Sequence, residues 1–108
     1  MERIQSDDRA RGIYEALLGV VGEFGDYQIE VKKTSLHVTH GRAFLGISPR
    51  VGALVLNLVT EAPVVSERIR KSEQLSRNRW HSEVLITGAA DLDSQLTAWL
   101  REAYVLTV

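Results

Sequence analysis

The chain contains no cysteine among its 108 residues. Disulfide bonds, thiolate nucleophiles and cysteine-ligated zinc are therefore excluded. An excess of one charge is also lacking, because 13 basic residues stand against 14 acidic ones. No overall field therefore draws the protein toward nucleic acid or a membrane surface. A function that depends on charge must use a local cluster.

Long apolar runs are lacking as well. No stretch approaches the ~20 residues that cross a bilayer, and the charged start MERIQSDDRARG lacks the apolar region of a secretory signal. We therefore expect a cytoplasmic protein without a membrane partner. The hydrophobic content of 44% suits one compact domain over residues 1–108, long enough to bury a core without disulfides or metals.

Two amphipathic helices are predicted at the ends of the chain. Apolar residues recur at three- and four-residue spacing through residues 7–24, after a capping Ser6. A second stripe predicts a C-terminal helix, capped by Asp91 or Asp93. The residues of this second stripe are Leu92, Leu96, Trp99, Leu100, Ala103 and Leu106.

The segment between the helices has a period of two. YQIEVKK and SLHVTH alternate, RAFLGIS and ALVLNLV follow them, and the breaks between the four are too short for parallel crossovers. They predict an antiparallel meander of three or four strands, and HSEVLIT predicts one more strand. ALVLNLV has apolar residues on both faces, which predicts a central strand covered at least in part on both sides. Residues 66–78 have few apolar side chains and predict a loose surface helix. The expected fold class is α+β: a two-layer sandwich of a four- to five-stranded antiparallel sheet with the N- and C-terminal helices packed on it.

Patterns for catalysis or metal binding are weak. His37 and His40 are three residues apart in a strand-like segment, so alternation puts them on opposite faces. GRAFLG and SPRVGA match neither a phosphate-binding loop nor a dinucleotide fingerprint, and the serines lack a nucleophile elbow. We expect no catalytic residue, no metal and no cofactor. A small hydrolase or transferase stays as a third hypothesis.

Basic residues are concentrated in residues 66–80, where five basic and two acidic side chains give a local charge of +3. Either this face is only solvated, or it binds an anion, because Arg and Lys grip phosphate and carboxylate groups. Trp80 is either a core residue or a ring that stacks on a planar ligand. His81, beside Arg79, makes either a structural hydrogen bond or a ligand contact.

Several short motifs in a fixed order carry a family resemblance. Arg79–His81 opens the last predicted strand, Asp91–Asp93 follows it, and Ala103–Tyr104 lies in the last helix. IYEALLGVVGEFG, VKKTSLHV and RAFLGISPR match upstream, so the resemblance covers nearly the whole chain. The chain resembles a small bacterial domain of unknown function, the domain-of-unknown-function family fifty-six fifty-five. Ser82 is a departure, since relatives often have a second histidine there.

The resemblance implies a domain that stands alone or forms the C-terminal part of larger bacterial chains, including so-called predicted transport proteins. It implies no catalytic residue, and the transport label has no support in a chain without a membrane segment.

Together these observations predict a non-enzymatic binding module for an anionic partner: a nucleotide, nucleic acid or a phosphorylated small molecule. Charged side chains would hold the anion, aromatic rings would stack on it, and His81 would donate a hydrogen bond. The predicted ligand-binding residues are Lys33, Arg42, Phe44, Arg79, Trp80 and His81. A continuous strand would put Arg79 and His81 on one face and Trp80 on the other. The alternative is a protein–protein interaction or homodimerisation module that uses an exposed sheet edge.

Overall fold

An antiparallel sheet with helices on one face makes up the molecule. The computed structural model describes residues 2–107. The strands are β1 (Gln28–Val31), β2 (Leu36–His40), β3 (Arg42–Arg50), β4 (Ala53–Thr60), β5 (Ile69–Ser76) and β6 (Arg79–Ile86). The helices are α1 (Glu2–Gln5), α2 (Asp8–Gly22) and α3 (Ser94–Val105), with a 3-10 turn at Ala89–Asp91. Within this range, no helix is long and apolar enough to span a membrane.

The sheet confirms the predicted α+β class but has more strands than expected. Six strands, rather than four or five, follow the order β1-β2-β3-β4-β6-β5. The additional strand is β5, in the segment for which we expected a loose surface helix. Its side chains are almost all exposed, so backbone hydrogen bonds to β6, rather than packing, hold it in the sheet. An edge strand of this kind leaves no apolar periodicity in the sequence.

β6 lies inside the sheet, between β4 and β5, although it is the last strand in the chain. Its residues Ser82, Val84 and Ile86 are buried, and those between them are half-buried. This alternation shows that one face of β6 packs on the core and the other faces away from the helices, whereas the charged β5 suits an edge. This strand order brings the basic start of β6 next to β4 and to the uncovered face of the sheet.

One core fills the space between the helices and the sheet. Leu54, Leu56 and Leu58 of β4 are fully buried there. The helices supply the opposite wall through Ile13, Leu17, Val21, Leu96 and Leu100. Fully burying a leucine side chain contributes about 1.5–3 kcal/mol, so this layer is the main source of stability.

The helix starts are fixed by carboxylates. Asp7, rather than Ser6, caps α2, and its carboxylate accepts hydrogen bonds from the backbone N–H groups of Ala10 at 3.1 Å and Gly52 at 2.7 Å. The bond to Gly52 ties the helix to the turn between β3 and β4. Asp93, one of the two residues expected to do so, caps α3.

A β-bulge shapes the start of β3. Opposite Val38 and Thr39 of β2, the register skips Phe44, which is the extra residue. Phe44 is fully buried, and its ring meets Tyr104 edge-on at a centroid distance of 5.3 Å. After the bulge Thr39 pairs with Ala43, so Ala43 faces away from the helices.

Candidate ligand-binding site

The face of the sheet opposite the helices is concave and polar. Neighbouring residues of a strand point to opposite faces of the sheet. The residues that alternate with the buried core residues therefore lie on the face away from the helices. His37, Gly46, Asn57 and His81 are among them, and all four are half-buried. Two adjoining concavities lie on this face.

The first concavity, which we call the basic hollow, has a volume of about 320 Å³. Arg42 begins β3, Arg79 begins β6, and His81 pairs with Val59 of β4. The hollow is lined by Arg42, Ala43, Val59, Leu75, Ser76, Arg79 and His81. Two guanidinium groups and an imidazole therefore border one space, a combination that suits an anion.

The second concavity, which we call the glycine slot, has a volume of about 120 Å³. Gly46 forms its floor, between its cross-strand partners His37 on β2 and Asn57 on β4. A Cβ atom on Gly46 would lie 3.4 Å from the Cβ atom of Asn57 and 3.9 Å from the Cδ2 atom of His37. The slot is lined by Ser35, His37, Ala43, Leu45, Gly46, Ser48, Asn57, Val59 and His81. Because Ala43, Val59 and His81 also line the basic hollow, the two concavities are continuous.

Three of the six predicted ligand-binding residues, Arg42, Arg79 and His81, line the basic hollow. β6 presents Arg79 and His81 on the uncovered face, in the alternation that the sequence predicts. Trp80 lies on the helix side of β6, where it pairs with Thr60 and is half-buried. Its ring therefore does not line the hollow.

Phe44 and Lys33 lie away from the other predicted residues. Phe44 is fully buried, so the prediction that it stacks on a ligand is wrong: the bulge turns its ring into the core. Lys33 lies in the turn between β1 and β2, next to the pair Leu36–Ile47. Arg42 begins β3 at the opposite end of that strand pair, so Lys33 does not join the hollow.

The residues that form both concavities lie in a region that matches a known protein family. Residues 2–107 match the family described as Domain of unknown function (DUF5655). The chain belongs to the DUF5655 family. This membership confirms the resemblance read from the sequence, and the match spans the helices, the sheet, the basic hollow and the glycine slot of this DUF5655 domain. Comparison with curated proteins and with solved structures gives no match.

Three residues of the site in this DUF5655 domain were not predicted from the sequence: His37, Gly46 and Asn57. His37 was considered only as a partner of His40 in a metal site. His40 lies on the helix side, where its ring stacks on Tyr104 at a centroid distance of 4.5 Å. One signal could have located the slot: a glycine inside an alternating strand marks a bulge or a close approach by a ligand or another backbone.

Burial, and then nearby charges, shift the pKa of His81 in this DUF5655 domain. Burial lowers the pKa of His81 below its ordinary value of 6.5, while Glu73 raises the pKa and His37 lowers it. Glu73 lies directly opposite His81 on β5. An anion in the basic hollow would raise this pKa, because a nearby negative charge stabilises the imidazolium. Residues 2–107 hold no group of three or more His, Asp or Glu side chains arranged to bind a metal ion.

Proposed function

We propose that this DUF5655 domain is a non-enzymatic binding module of the bacterial cytoplasm whose ligand is a nucleotide, nucleic acid or a phosphorylated small molecule. The observation that carries the proposal is that Arg42, Arg79 and His81 line one concavity on the uncovered sheet face. The charge of arginine is permanent, and its planar fork of donors matches the oxygens of a phosphate group. His81 adds a further donor when it is protonated.

The lining of the basic hollow also supports a ligand. Small-molecule sites are concave and carry a few placed polar groups among apolar ones. The hollow has this composition, because Ala43, Val59 and Leu75 lie between the charged side chains. A protein partner would instead favour a flat apolar patch of several hundred Å².

A homodimer or protein-interaction module that pairs along β5 is the alternative. One observation favours it: β5 is an open sheet edge, and its Leu75 is 50% exposed. However, the register of β5 is irregular between Ile69 and Lys71 and again between Gln74 and Ser76. Bulges of this kind protect a sheet edge against pairing. Ligand binding is therefore the stronger proposal.

A small hydrolase or transferase is the third candidate, because His37 and His81 both line the slot, and histidine is the commonest general acid or base in enzymes. A binding module returns its ligand unchanged, whereas an enzyme releases a product. Phosphorus NMR of each phosphorylated ligand after prolonged incubation with the protein separates the two. We expect an unchanged spectrum, and a new phosphate signal would contradict the non-enzymatic role.

The proposal is tested first by a thermal-shift screen with nucleotides, short oligonucleotides and phosphorylated metabolites. A ligand present at 100 times its Kd stabilises the folded state by about 2.7 kcal/mol. The strongest stabiliser is then titrated calorimetrically into the wild type, Arg79→Ala and Arg70→Ala. Arg70 is the matched control, since it is exposed on β5 and does not line the hollow.

We expect Arg79→Ala to weaken binding by about 1.5–3 kcal/mol, the range for hydrogen bonds to charged groups. Arg70→Ala should bind like the wild type. The loss should shrink as salt rises, because an exposed charge is screened over about 8 Å at physiological ionic strength. Equal affinities in all three proteins would overturn the anion site and favour the homodimer or protein-interaction module that pairs along β5.

A further inference from the structure

We infer that the glycine slot receives an uncharged, single-ring heteroaromatic group, and that the ligand is a pyrimidine nucleoside monophosphate unit. The inference rests on the proposed function, because the phosphate of this unit occupies the basic hollow. It adds a second point of recognition and a substrate class. One ring lies over Gly46, and one phosphate lies between Arg42 and Arg79.

The size of the slot sets the size of the ring. Its volume is about 120 Å³, and an apolar cavity of about 150 Å³ holds one benzene molecule. The slot is somewhat smaller than that cavity and is open on one side, so a single six-membered ring would occupy all of it and extend through the open end with its ribose-bearing side. A fused two-ring purine exceeds this space.

The walls of the slot offer neutral hydrogen-bonding groups. The Asn57 amide has a donor side and an acceptor side, and the hydroxyl groups of Ser35 and Ser48 can act as either. None of the described residues that line the slot is Lys, Arg, Asp or Glu, and Glu83, the cross-strand partner of Asn57, adds a negative charge next to the slot rather than in its lining. These walls suit the alternating donors and acceptors on the edge of uracil or cytosine, and they do not suit a second anion.

Gly46 makes the slot possible. Any side chain at this position would project between His37 and Asn57, because its Cβ atom would already lie 3.4 Å from the Cβ atom of Asn57. Glycine inside a strand is where a ligand can approach the backbone closely. A flat ring can therefore lie against β3, with the His37 imidazole beside it.

The distance between the concavities fits one nucleotide. Asn57 pairs with Glu83, which is four residues from Arg79 along β6, a separation of about 13 Å at ~3.3 Å per residue. The Arg79 side chain and the ribose of the ligand lie between the two points. Ala43 and Val59, which both concavities share, form a small apolar floor under the ribose.

The test compares uridine 5′-monophosphate with ribose 5-phosphate, which carries the phosphate without the ring. We expect the wild type to bind the nucleotide at least tenfold more tightly. Gly46→Val should bind both compounds with the affinity that the wild type has for ribose 5-phosphate. Valine favours strands, and its side chain would point into the slot rather than the core. Asn57→Ala, which leaves the strand backbone unaltered, should also reduce the preference and serves if Gly46→Val does not fold.

The outcomes separate this inference from the proposed function. Equal wild-type affinities for the two compounds, with both weakened by Arg79→Ala, overturn the ring in the slot and keep the anion site. Binding of neither compound overturns the pyrimidine nucleotide and leaves the anion site to the ligand screen, whereas binding that ignores Arg79→Ala overturns both. Adenosine 5′-monophosphate that binds as tightly as the uridine nucleotide overturns the single-ring assignment.

A free nucleotide and a unit of a single strand share this chemistry, and a further arm separates the two sources. Hexauridylate that binds with the same affinity per site as uridine 5′-monophosphate identifies the free nucleotide as the ligand. Binding at least tenfold tighter identifies a strand, whose further phosphates reach beyond the hollow.

Discussion

Gly46 of β3 and Asn57 of β4 lie directly opposite each other on the uncovered face of the sheet. Because glycine has no side chain, the amide of Asn57 borders open space instead of a neighbouring side chain. Glycine within a strand destabilises the fold by roughly 0.5–1 kcal/mol relative to alanine. The glycine that opens the slot therefore makes the fold less stable. Replacing Gly46 with alanine should raise the stability of the fold and weaken ligand binding.

Gly46→Ala should raise the free energy of unfolding by roughly 0.5–1 kcal/mol and weaken binding of uridine 5′-monophosphate. Urea denaturation and calorimetric titration measure the two effects. Gly12→Ala is the matched control, because Gly12 lies within α2 with no atom within 4 Å of its Cβ position. It should stabilise the protein by about 1 kcal/mol without changing the affinity. Weakened binding in the Gly12 variant would show that the effect is not local to the slot.

Glu73→Gln should lower the pKa of His81 further, because Glu73 is the group that raises this pKa. The other titratable or charged groups on this face near His81 are Arg79 and Glu83 on its own strand, His37 from β2 and Arg42 from β3, while β4 presents the uncharged Val59. NMR titration of the imidazole protons measures the change. Loss of the competing carboxylate should also tighten binding of inorganic phosphate.

The control for this experiment is Glu67→Gln, which removes an exposed charge between β4 and β5. A pKa of His81 that is the same in wild type and Glu73→Gln would contradict the effect of the Glu73 carboxylate on His81.

The free protein should lose stability as the pH falls below 6.5. His81 has a folded-state pKa below its ordinary value of 6.5, so the unfolded chain binds its proton first as the pH falls. Stability therefore increases with pH across this window. An anionic ligand should reduce the loss, because it favours the protonated imidazole. Urea midpoints at several pH values between 5 and 8, for wild type and His81→Gln, measure this; equal pH dependence in both would contradict it.

Asp7→Asn should lower the thermal midpoint at neutral pH and flatten the acid limb of the stability curve. Hydrogen bonds from Gly52 and then Ala10 lower the pKa of Asp7 below its ordinary value of 3.8. A group whose pKa is lowered by folding contributes stability above the unfolded pKa and loses it as the pH falls through the folded pKa. Asp8→Asn is the control, because Asp8 is exposed and pairs with Arg11 rather than with the turn between β3 and β4; an equal loss in both variants would contradict the role of the Asp7 cap.

The overall fold was predictable because the core carries strong periodic signals. The stripe of α2 and the alternating leucines of β4 each predict which face is buried, and both faces meet in the core. β5 was not predictable, because side chains on a solvated edge leave no pattern of burial. Its wrong assignment as a helix also hid the crossover that places β6 beside β4.

The candidate site was predictable only in part for the same reason. Arg79 and His81 could be assigned to one face from their spacing, but His37 is 44 residues away from His81 in the chain. Only the strand order, with β6 next to β4, brings the two histidines to one slot. Phe44 was misassigned because a bulge inverts the face of a residue without any mark in the alternation.

Anion binding on the uncovered face of the sheet is best tested by NMR mapping of the backbone amides during a titration with the strongest stabiliser from the thermal-shift screen. We expect the largest changes at Val59, Arg79 and His81, extending to Gly46 and Asn57 when the ligand is uridine 5′-monophosphate, and we expect them to disappear in Arg79→Ala. Changes confined to the β5 edge or to α3 would contradict anion binding on this face.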